Sequence, residues 1–185
     1  MPLQKTSKEE IITKSLDIFR KQGYHRTSMD DLAKACGLMK GSFYYYFDSK
    51  EILMKEVLSW IQQYLSEKVY SIAFEESVSA HERLSKMLVK LGKVMLNAEG
   101  GCILGNMTLE TARLVPAFKE VLKEIFQEWS NSLAHIFETC YSSNEAEKLA
   151  WKTIMLFEGA VMMNRLFEGK EFYKDSYEQT LMLLK

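Results

Sequence analysis

A chain of 185 residues, 47% hydrophobic and 26% charged with a net charge of −1, has the composition of an ordinary soluble globular protein and enough length to bury a substantial core. No apolar run approaches the roughly 20 residues of a membrane span, and the first ten residues hold lysines with no apolar stretch behind them, so no export signal is expected. Three scattered cysteines, Cys36, Cys102 and Cys140, exclude a disulfide framework and lack metal-ligand spacing, which fits a reducing cytoplasm and a protein with no metal and no cofactor.

With only Pro2 and Pro116 and few glycines, and with apolar residues recurring every three or four positions, the chain reads as all-α with about nine helices. The first helix is expected to start at Ser7, with Glu10 three residues on, to bury Ile12, Leu16 and Phe19, and to stop at Gly23. A second start follows at Ser28, with Asp30 and Asp31 in its first turn, and runs to Gly37. Lys40 to Tyr46 forms a third short helix, and Ser49 caps a long one whose apolar face is Leu53, Val57, Ile61 and Leu65.

Further on, Leu84, Met87, Leu88, Leu91 and Met95 mark a helix ending near Asn97, before a joint at Gly100-Gly101. Cys102 to Arg113 predicts a shorter helix. Pro116 opens a long one through Phe137, at a position where proline is tolerated. Asn144, with Glu147 three on, is the expected cap of the next, which is apolar on more than one face from Leu149 to Phe167. Tyr173 to Leu184 supplies the last.

Charge divides along this order. Residues 1–50 carry nine Lys/Arg against six Asp/Glu, and residues 51–185 carry fifteen against nineteen. A slightly basic head on an acidic body is one arrangement a nucleic-acid-binding protein uses, although solvated faces also reach such values. The sign of the charge changes at about residue 50, which marks a candidate boundary between a head over 1–50 and a body over 51–185.

The turn Gly37-Leu38-Met39 carries the most chemistry. A helix-turn-helix needs a small residue in its first helix, a glycine in the turn and apolar residues to lock the crossing, and Ala33, Gly37, Leu38 and Phe43 meet those needs. The helix after it presents Lys40, Gly41, Ser42, Tyr44, Tyr45 and Tyr46. Three consecutive tyrosines fan over roughly 200° of helix, so a small core cannot take them all. Phenols and a lysine suit phosphate contacts, and Gly41 allows close backbone approach to a duplex.

Residues 23–53, GYHRTSMDDLAKACGLMKGSFYYYFDSKEIL, resemble the DNA-binding domain of TetR-family regulators, and the resemblance runs over roughly residues 7–55. It implies a three-helix head on double-stranded operator DNA, and a body that forms a homodimer and takes a small-molecule effector. By the same resemblance Thr27, Lys40, Tyr44 and Lys50 lie on phosphates, Gly41, Ser42, Tyr45 and Tyr46 are nearest to bases, and Ser28 belongs to the same DNA-binding set. Tyr46 stands where the family commonly has His, and Asp48 where it commonly has a basic residue, so an altered operator preference is expected. The stretch GGCILGNMTLE at 100–110 also resembles one branch of the family.

For the effector, the candidates are Cys102, Met107, Glu110, Phe126, Trp129, Met155, Glu158 and Met162. Cys102 sits at a glycine-rich joint beside a helix N-terminus, a setting that lowers a thiol pKa and suits an electrophile sensor; the plainer reading is a small buried hydrophobe. Glu110 and Glu158, inside apolar stretches, would favour a cationic ligand if they lined a cavity, or else pair with a neighbour. The aromatic and methionine residues suit an adaptable pocket or an ordinary core. The expected cavity lies between the helices of residues 84–140. A helical hydrolase using Cys102 or Cys140 with His135 has no supporting motif, since His135 and Cys140 fall about 140° apart on a helix. A pure interaction module is opposed by the intact 40–46 segment.

Overall fold

A computed structural model describes residues 6–96 and 99–184. Among them are nine α-helices and no strand: α1 (Lys8–Gln22), α2 (Met29–Ala35), α3 (Lys40–Tyr46), α4 (Lys50–Lys68), α5 (Ala80–Leu96), α6 (Ile103–Thr111), α7 (Pro116–Phe137), α8 (Ser143–Leu166) and α9 (Glu171–Leu181). The all-α class and the helix count agree with the periodicity of the sequence. A 3-10 turn at Tyr70–Phe74 was not legible beforehand. The expected helix end near Asn97 lies outside the described residues.

Helix boundaries follow the cap chemistry. The Ser7 hydroxyl accepts from the Glu10 amide, and Ser28 and Asp31 form a reciprocal capping box on α2. Ser49 likewise accepts from the Ile52 amide at the start of α4. The expectation of Asn144 as cap of α8 is corrected. Ser142 is the cap, its hydroxyl and amide both bound to the Glu145 carboxylate. Two overlapping signals with the same three-residue offset compete there, and the earlier one satisfies the first free N–H groups of the helix. Around α6 the helix proper is shorter than 102–113, because Cys102 is its N-cap and Ala112 its C-cap.

One continuous core runs from Ile11 on α1 to Leu184 beyond α9. In the head it is built on Phe19, Leu32, Phe43 and Phe47, all almost fully buried. In the body α7 and α8 pack most extensively on each other, and α8 on α9. Fully burying one such aromatic or aliphatic side chain contributes about 1.5–3 kcal/mol, so the shared core fixes the head on the body without a linker.

Specific contacts orient the two. The Lys50 ammonium at the start of α4 donates to the Tyr24 and Thr27 carbonyls, both at 2.8 Å, and lies 4.4 Å from the centre of the Tyr24 ring. Tyr24 also packs edge-on against Phe118 of α7. From α6, the Glu110 carboxylate accepts the His25 amide at 3.2 Å, and its own carbonyl lies 3.1 Å from Nε2 of His25. Gly100, at φ +100°, lies against the end of α1 so closely that a Cβ there would collide with the Arg20 carbonyl. Only glycine combines that backbone with that approach.

Candidate DNA interface and ligand cavity

Helices α2 and α3 meet around a turn in which Gly37 has φ +69° and the Leu38 amide closes back on the Ala33 carbonyl at 2.9 Å. Leu32 and Ala33 on α2 and Phe43 on α3 are buried, which locks the crossing angle. Phe43 is the one buried residue of α3. Everything else on that helix faces outward or skirts the core, as a reading helix requires.

The expected DNA-contacting residues separate into two groups. Lys40, Gly41, Ser42, Tyr44 and Tyr45 are exposed, Tyr45 at 87%. Lys40 is paired with Asp30 of α2 at 2.9 Å, a surface contact that a phosphate can replace. Thr27, Ser28, Tyr46 and Lys50 are differently engaged. Thr27 is 1% exposed and donates its hydroxyl to the Gly23 carbonyl, so its side chain is engaged in the fold. The Ser28 hydroxyl is committed to Asp31, whose carboxyl it holds below the ordinary range. The Tyr46 hydroxyl donates to the Thr6 carbonyl at 3.0 Å. Lys50 points into the seam, where burial lowers its pKa.

Behind the head lies a cavity of about 330 Å³. Its walls are Leu16 and Arg20 of α1, Trp60 and Ile61 of α4, Tyr70 of the 3-10 turn, and residues of α5, α6 and α7. It therefore reaches beyond the expected span of 84–140 and touches the head directly. A second depression, about 370 Å³ and more open, lies between α6 and α8 and is lined by Gly105, Phe126, Glu158 and Met162 among others.

The eight expected effector residues do not converge. Cys102 and Trp129 line the cavity behind α1; Cys102, Phe126, Glu158 and Met162 line the α6–α8 depression. Met107 is core, Glu110 is spent on the head, and Met155 is 64% exposed. Of the two readings of Cys102, its surroundings do not produce the lowered thiol pKa that a sensor would use. Burial, and after it the Glu158 carboxylate beside it, push the thiol well above its ordinary value, outweighing the helix N-terminus. Burial also raises the Glu158 carboxyl. Among the cavity-lining residues that sequence reasoning missed are Arg20, Tyr70 and Lys93. Arg20 had one available signal: it follows Leu16 by four residues and so shares the inward face of α1.

Comparison with known proteins agrees with this architecture. Residues 11–57 match the bacterial regulatory proteins of the tetR family, and residues 80–171 match the C-terminal domain of LmrA/YxaF-like transcriptional regulators. The chain is 30% identical over 137 residues to an uncharacterized HTH-type transcriptional regulator in the lacX 3' region of Lactococcus lactis subsp. lactis, covering 70% of this chain and 67% of that one. It is 25% identical over 162 residues to the HTH-type transcriptional regulator LmrA of Bacillus subtilis, covering 85% and 86% of the two chains. A TetR transcriptional regulator from Legionella pneumophila superposes with a TM-score of 0.90 at 26% identity, over 100% of both chains. A helix-turn-helix with an exposed α3, a helical body and these likenesses lead to one conclusion: the chain belongs to the tetR family of bacterial transcriptional regulators.

Proposed function

We propose that this regulator is a ligand-responsive repressor: a homodimer whose two α3 helices hold a near-palindromic operator, and which lets go when a small molecule fills the cavity behind α1. The observation that carries this reading is that Leu16 and Arg20 of the head are themselves walls of the cavity. A molecule lodged there presses on α1, α4 and α6 together, and so on the helices that set where α3 points. A tenfold loss of operator affinity needs only about 1.4 kcal/mol of differential binding between the two states.

Repression is supported by likeness to the HTH-type transcriptional repressor DhaR of Mycobacterium sp., 27% identical over 122 residues and 66% of this chain. Dimerisation through α8 and α9 is supported by an uncovered apolar stripe. Met155, Gly159, Met162 and Leu166 follow one face of α8, with Met155, Met162 and Leu166 at 64%, 58% and 68% exposed. A symmetric partner buries such a stripe against its own copy. In the dimer, Lys40 and Tyr44 hold phosphates, and Gly41, Ser42 and Tyr45 lie nearest to the bases, while Thr27, Ser28, Tyr46 and Lys50 shape the head.

Operator fragments selected from genomic DNA test the DNA half of this proposal. Lys40→Ala is expected to weaken binding to all sequences alike and to reduce the salt slope by about 1, whereas Tyr45→Ala shifts the preferred sequence. Unchanged salt slopes and preferences in both variants would remove α3 from the interface.

A further inference from the structure

The cavity behind α1 is apolar over most of its wall, and its charged lining residues are of one sign. They are Arg20 and Lys93, and among the described residues no Asp or Glu lines it. Three lining side chains also hold buried polar atoms with no hydrogen-bond partner among the described residues: Nε of Arg20, the Tyr70 hydroxyl and the Trp129 indole nitrogen. Tyr70 and Trp129 are 3% and 1% exposed, so bulk solvent does not reach them.

Each such group left unpaired destabilises the protein, and a guanidinium and an indole can only donate. Burial holds the Tyr70 phenol far above its ordinary pKa, so it too stays a donor at neutral pH. The Arg20 charge is poorly neutralised, since the Asp17 carboxylate is 4.0 Å away and mostly exposed. Of the nearby acids, Glu128 already accepts from Gln62, and Glu158 lines the α6–α8 depression instead.

We propose that this cavity takes a small organic anion: an aromatic or branched aliphatic body packed among Leu16, Trp60, Ile61 and Leu91, with a carboxylate head that accepts from Arg20, Tyr70 and Trp129. The proposal rests on the reading of the cavity as the effector site, and it sets aside a cationic effector, which would meet two like charges there. The cavity volume lies at the low end of small-molecule sites, so the body is about the size of a single substituted ring.

The test is a thermal-shift screen of the full chain against three matched sets built on the same skeletons: carboxylic acids, their primary amides and the corresponding amines. Stabilising compounds are expected in the carboxylate set, with affinity falling at least tenfold in Arg20→Lys and in the isosteric Tyr70→Phe. Stabilisation by amines or amides alone, a silent carboxylate set, or a Tyr70→Phe variant that binds as wild type would overturn the proposal. Operator binding by the same samples separates the two readings. A carboxylate that binds as expected but leaves operator affinity unchanged supports the anion site and sinks the effector role. An amine that releases the operator does the reverse.

Discussion

Helices α3 and α6 are of similar length, seven and nine residues, yet they are held in opposite ways. α3 buries only Phe43, with the half-buried Tyr46 tied to Thr6, and leaves most of its surface open. α6 buries Ile103, Leu104, Met107 and Thr111, touches the head through Glu110, and contributes Cys102, Ile103 and Leu104 to the cavity. A helix that reads a duplex needs one anchor and a free face. A helix that carries a change from one place to another needs contact with both, and α6 has it.

The sharpest way to break that contrast is to remove the anchor. Phe43→Ala is expected to cost about 3–5 kcal/mol, read as a lowered denaturant midpoint, and to abolish operator binding because α3 loses its seat. Next in size is Gly159→Phe. Among the described residues, and apart from its own stretch of helix backbone, a Cβ at Gly159 meets nothing within 4 Å, so the protomer should keep its helical content. Sedimentation should then show monomers where wild type gives dimers. A dimer in both would move the interface away from α8.

A smaller effect is expected at the seam. Glu110→Ala removes the acceptor for the His25 amide, and thermal unfolding should show a loss of about 1 kcal/mol. If α6 transmits the cavity's state through this contact, the same variant should also bind operator with a weakened response to any ligand. Smallest is a difference in thiol rates. The exposed Cys140 should react first with a chromogenic disulfide at pH 7, and Cys36 and Cys102 slowly, because burial raises both of their thiols. Labelling of the half-buried Cys102 as fast as that of Cys140 would contradict the raised thiol at the start of α6.

The same contrast explains how much could be read from residues alone. Caps at Ser7, Ser28 and Ser49, the Gly37 turn and the outward tyrosines are local features, settled within a few positions along the chain. They were legible for that reason. The cavity is assembled from six separate segments, so the sequence offers Trp129 as pocket or core but not which residues it meets. Glu110 was noticed as an acid in an apolar stretch, yet its partner His25 is 85 positions away. Met155 and Met162 gave an apolar pattern that a core and an uncovered helix face share, and the structure places them on the face.

If two α3 helices read one duplex and the cavity sets their separation, that separation is the quantity to measure. Pulsed electron resonance between nitroxides on Tyr45→Cys, in a chain with Cys140→Ser, measures that separation directly. With operator bound, the two sites should give one narrow distance population, from recognition helices set about one duplex turn, roughly 34 Å, apart. A ligand that fills the cavity should move it by several ångströms. A distance that is the same with operator and with a filled cavity, or no intermolecular distance at all, would contradict the account.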